Sequence, residues 1–79
     1  MISEIIKYMR KASGMSQTEL AKKLNIAPST LSGYETKYVK PNFEIIEQIA
    51  KQCEYDIVFV DKNSGEKITT KNIGSKKKD

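Results

Sequence analysis

Histidine is absent from this chain and cysteine occurs once, at position 53, which removes much of the usual catalytic and metal-binding inventory. A zinc site draws on several Cys and His ligands, and a Ser-His or Cys-His nucleophile needs its imidazole, so both are excluded on residue supply. One cysteine cannot form an internal disulfide. Cys53 falls near the end of an amphipathic stretch and reads as a small hydrophobe rather than a reactive thiol, a usage that fits a cytoplasmic protein. No apolar run is long enough to span a bilayer, and the opening residues alternate Ile with Glu, Lys and Arg, unlike a secretory signal. A Gly-rich phosphate loop and a paired-acid motif are also missing. Carboxylates and lysines could still catalyse, but no motif organises them. The expectation is a non-enzyme without metal or cofactor.

The 79 residues make one small domain, with a core that is marginal alone and helped by self-association. The net charge of +4 is unevenly spread. Lys71, Lys76, Lys77 and Lys78 against Asp79 give the last nine residues +3, leaving +1 for residues 1–70. Any binding to nucleic acid by the body of the protein must therefore rest on local clustering of cations.

The most informative stretch is Ser16 to Glu35, SQTELAKKLNIAPSTLSGYE. Leu20 and Leu24 are one helical turn apart, as are Leu31 and Tyr34, so two short segments each offer one apolar stripe. Ser16 with Glu19 three residues later forms a capping box that starts a helix over Gln17 to about Leu24. Asn25 tolerates the left-handed conformation that ends a helix. Pro28 suits a first helical turn, so a second helix runs from Pro28 to about Glu35. Two short helices, a tight turn and the small Ala21 at their crossing describe a helix-turn-helix.

On Gln17, Leu20, Ala21, Leu24, Ile26, Ser29, Leu31 and Tyr34-Glu35, with Pro41 and the helix after it, the chain resembles the Cro/repressor-type (XRE-like) helix-turn-helix family. The similarity runs from about Ile2 to Tyr55. It implies a mainly α fold, a four-helix repressor-like domain over residues 1–54.

Around the motif, residues 3–12 predict the first helix, with Ser3 as cap, an inner stripe of Ile2, Ile5, Ile6 and Met9, and Gly14 at its end. Pro41-Asn42 reads as stop and cap for a fourth helix from Phe43 to about Gln52. From Tyr55 the period changes. YDIVFVD is β-branched and aromatic, with Tyr55, Ile57 and Phe59 on one face and Val58 and Val60 on the other. Lys62 to Gly65 is turn-forming and Glu66 to Thr70 is a return strand, giving a C-terminal β-hairpin, or at least a strand, over 55–70. Apolar residues on both faces suggest dimerisation through Tyr55, Ile57, Val58, Phe59 and Val60, the alternative being a lid on the chain's own core. Residues 71–79 read as a disordered basic tail.

The resemblance implies how such a domain reads double-stranded DNA. The helix from Pro28 enters the major groove, and Ala27, Pro28, Ser29, Thr30, Ser32 and Gly33 stand where base contacts are made. The set holds no Arg, Asn or Gln for bidentate readout, which predicts moderate specificity with a share from DNA shape. Gly33 leaves space where relatives often carry a long side chain. Gln17, Arg10, Lys37, Tyr38 and Lys40 are the candidates for phosphate contacts. Arg10 and Glu35 stand at positions that commonly pair in a structural salt bridge, the arginine being oriented toward a phosphate. Thr36-Lys37 replaces the more usual Asn-Gly or Arg-Gly.

The function this implies is a homodimeric transcriptional repressor. The alternative is an antitoxin that neutralises a protein toxin and also regulates its own operon. A restriction-modification controller fits less well, those proteins being all helical, and no aromatic stacking platform supports RNA binding.

Overall fold

The computed structural model describes residues 1–69; the expected basic tail and Thr70 lie outside the described residues. Four helices, α1 (Ile2–Ala12), α2 (Gln17–Leu24), α3 (Pro28–Glu35) and α4 (Phe43–Gln52), precede two strands, β1 (Val58–Val60) and β2 (Lys67–Thr69). The architecture is a four-helix domain carrying a small antiparallel hairpin.

Local chemistry accounts for most helix boundaries. The capping box at α2 is complete, with the Glu19 amide donating to Ser16 Oγ at 3.1 Å and the Ser16 amide donating to Glu19 Oε1 at 2.8 Å. Asn42 caps α4 by accepting from the Ile45 amide at 2.8 Å. Ser3 does not cap α1. The Met1 carbonyl already accepts from the Glu4 and Ile5 amides, so the helix starts earlier and Ser3 sits in its first turn. There Ser3 is buried and its Oγ lacks a hydrogen-bond partner.

A left-handed residue lies at the end of every helix: Gly14, Asn25, Lys37 and Glu54, with φ of 77°, 60°, 70° and 63°. After all four helices the next amide reaches back to the last turn, from Met15 to Arg10, Ile26 to Ala21, Tyr38 to Gly33 and Tyr55 to Ala50, which is the Schellman closure. Asn25 and Gly14 accept that geometry readily. Lys37 and Glu54 carry a Cβ that opposes it.

Ile6, Met9, Leu20, Ala21, Leu24, Leu31, Ile49, Ala50 and Cys53 form the core, with Ile2, Met15, Ile26, Tyr34, Ile45 and Ile57 packed around it. Ile5 departs from the expected inner stripe and is 52% exposed. The inward face of α1 runs instead through Ser3, Ile6 and Arg10, three and four residues apart, and Ile5 lies off that face. The strand at 55–61 is also shorter than its composition suggests. Tyr55 to Ile57 carry the chain out of the α4 closure, and pairing begins only at Val58, opposite Thr69, with Phe59 opposite Ile68 and Val60 opposite Lys67.

Candidate nucleic-acid interface

The turn between α2 and α3 sets the direction of α3. The Ile26 amide donates to the Ala21 carbonyl at 3.0 Å, and Ala27, in extended conformation, leads into Pro28 at the start of the helix. Leu31, Gly33 and Glu35 face inward and are buried. Ala27, Pro28 and Ser29 are exposed, and Thr30 and Ser32 are half-buried beside them. No side chain caps this helix. Its positive dipole end is therefore open to an anion.

Behind that face sits an ion-pair network. Arg10 Nε and Nη2 donate to Glu35 Oε2 and Oε1 at 2.6 and 3.0 Å, a bidentate pair. Gln17 Nε2 donates to Glu35 Oε1 at 3.0 Å, and Arg10 Nη1 donates to the Met15 carbonyl at 2.9 Å. One carboxylate thus ties α1 and the start of α2 to the end of α3. The side chains of Arg10 and Glu35 are only 10% and 1% exposed. Burial alone would raise the Glu35 carboxyl, but hydrogen bonds from Arg10 and Gln17, with the charges of Arg10 and Lys7, outweigh it and hold the pKa below the usual range. Hydrogen bonding to Glu35 raises Arg10 further, against the effect of burial.

This geometry bears on two of the expected residues. The Arg10 guanidinium is turned inward and shared between Glu35 and a backbone carbonyl, in the expected salt bridge. The space beside Gly33 is taken by Val39. A Cβ built on Gly33 would stand 3.0 Å from Val39 Cγ2, and the Gly33 carbonyl accepts from both the Tyr38 and Val39 amides. Gly33 is therefore a seat for the following loop, and the space expected beside it is filled. Gln17, half-buried, spends its side-chain amide on Glu35. Lys37, Tyr38 and Lys40 are all exposed on the loop that Gly33 anchors.

A family model described as Helix-turn-helix matches residues 6–60 of the 79, from the middle of α1 to the end of β1. The chain belongs to the XRE-type helix-turn-helix family. This XRE-type protein is accordingly a DNA-binding transcriptional regulator, of a family that is generally non-enzymatic. No curated protein and no solved structure gives a significant match to the chain. Among the described residues no cluster of metal-ligating side chains occurs, and no helix is long and apolar enough to cross a membrane.

Two members of the XRE-type site had no role in the sequence reading. Val39 fills the gap at Gly33, and the Met15 carbonyl takes a guanidinium N–H. Val39 could have been suspected from a lone apolar residue among Lys37, Tyr38 and Lys40, following a glycine inside a helix. A backbone carbonyl leaves no trace in residue type.

Proposed function

We propose that this XRE-type protein is a homodimeric repressor that reads the major groove of double-stranded DNA with the N-terminal half of α3. The observation that carries the reading is the exposed, uncapped start of α3, a helix whose other end is pinned to α1 and α2 by the Arg10–Glu35–Gln17 network. Ala27 and Pro28 offer apolar contact to thymine methyl groups, and Ser29, Thr30 and Ser32 offer hydroxyls that serve several bases. Lys37, Tyr38 and Lys40, with the backbone amides at the start of α2 beside Gln17, supply phosphate contacts. Specificity is moderate, with part of it drawn from DNA shape. The apolar hairpin supports pairing of two copies, which matches two half-sites related by a two-fold axis.

Binding to the DNA upstream of its own gene, compared with scrambled DNA over a salt series, tests this. A dimer making about 6–10 phosphate contacts loses roughly a thousandfold or more in affinity between about 50 and 200 mM salt, yet keeps its preference for the specific site. Equal, weak binding to both DNAs would refute it.

A further inference from the structure

Tyr8 and Ile5 lie on the surface of α1, at 69% and 52% exposed. With Met1, Met9, Phe43, Ile46 and Ile57 they line an apolar groove of about 630 Å³ between α1, α4 and the segment leading into β1. The hairpin continues from the edge of this groove. Phe59 lies near Phe43, with ring centroids 6.3 Å apart, yet stays exposed, as do Val58 and Val60 on the other face of β1. The two strands contact each other far more than they contact the helices. A two-stranded hairpin with apolar residues on both faces is marginal in water by itself.

We infer that the groove formed by Ile5, Tyr8 and Phe43 receives Val58 and Val60 from the hairpin of a second copy, in a reciprocal, two-fold exchange. This rests on the homodimer reading above and locates its interface. Two observations select a second copy as the occupant. Among the described residues the uncovered strand adjoins the uncovered groove, so each copy can both give and receive, as an isologous contact requires. The exposed apolar side chains of groove and hairpin together offer on the order of 800 Å², about the share each partner contributes to a stable interface and above the roughly 300–600 Å² patch of an ordinary monomer.

The test combines sedimentation equilibrium with disulfide trapping. Tyr8→Asp with Ile5→Asp changes only exposed positions, so the variant keeps its helical circular dichroism while self-association weakens roughly thirtyfold or more, the loss expected at an interface hot spot. Oxidising an equal mixture of Ile5→Cys and Val60→Cys single variants yields covalent dimers well beyond either variant alone, with wild-type protein, whose Cys53 is buried, as the blank. A double Ile5→Asp/Tyr8→Asp variant as dimeric as wild type overturns the groove assignment. If Val58→Pro is monomeric in that case, the dimer stands and only its seat is elsewhere. A wild-type protein that sediments as a monomer overturns both readings. An Ile5→Cys/Val60→Cys chain that closes a bond only within itself shows the hairpin to be a lid on its own groove, and overturns the exchange.

Discussion

Removing Arg10 while leaving Glu35 in place should reverse the way stability responds to pH. In the wild type the Glu35 carboxyl lies below its unfolded value, so its contribution is fully present above the unfolded carboxylate range near pH 4.3 and is lost as pH falls through the lowered native value. Arg10→Met takes away the two donors at 2.6 and 3.0 Å and a full positive charge. Burial, the largest single influence on Glu35, remains, opposed only by Gln17 and the more distant Lys7. The carboxyl then titrates above its unfolded value, and the variant gains stability as the pH is lowered from 7 toward 4.5, where the wild type is flat or declining. At neutral pH an uncompensated buried carboxylate costs about 3–5 kcal/mol. A domain of this length has about 4–12 kcal/mol in total, so the variant sits near its folding threshold. Arg10→Met with Glu35→Leu removes both charges together and should recover to within about 1–2 kcal/mol of wild type. Urea titrations followed by circular dichroism at a series of pH values read all three proteins. An Arg10→Met variant that loses stability in parallel with wild type on acidification, or a double variant no better than the single one, would refute the reasoning.

Replacing Ser29 and Ser32 together with glutamate should abolish specific DNA binding by turning the groove face anionic, with an unchanged melting temperature; retained affinity in a gel-shift titration would displace α3 from its assigned role. Lys37→Gly should stabilise the domain by about 1 kcal/mol by relieving the left-handed backbone at φ 70°, and at the same time weaken DNA binding and flatten its salt dependence. Glu54→Gly, at φ 63°, should give a similar stabilisation with DNA affinity unaltered, so the pair separates backbone strain from phosphate contact in two assays. Ser3→Ala should stabilise by about 1 kcal/mol, since it deletes a buried hydroxyl without a partner and improves helix propensity; a loss in thermal denaturation would contradict that.

The helical scaffold was legible because its boundaries are written in side chains that act locally. Ser16 with Glu19, Asn25, Pro28 and Asn42 each impose a backbone event within three residues; α2, α3 and α4 begin, and α2 ends, where those residues dictate. The errors fall where the deciding interaction is not local. Ser3 has the chemistry of a cap, but the packing of α1 against the core placed it inside the helix. Ile5 has the chemistry of core, but only the docking angle of α1 decides which of two neighbouring isoleucines faces inward, and Ile6 takes that place. Family spacing pointed to the positions of α3 and of Arg10 and Glu35. It could not anticipate that Val39 folds back over Gly33, because that contact depends on a loop whose left-handed residue is a lysine.

The lysine and glutamate that end α3 and α4 in left-handed conformation also bear on how long each molecule survives. Together they cost about 2 kcal/mol, which enlarges the unfolded fraction roughly thirtyfold over a chain with glycine at both positions. Degradation that captures the opened chain scales with that fraction. A ligand that binds only the folded form, whether an operator or a second copy, reduces the same fraction by mass action. Molecules engaged on DNA or paired with one another would then outlast idle ones, and surplus regulator would decline once its sites are filled.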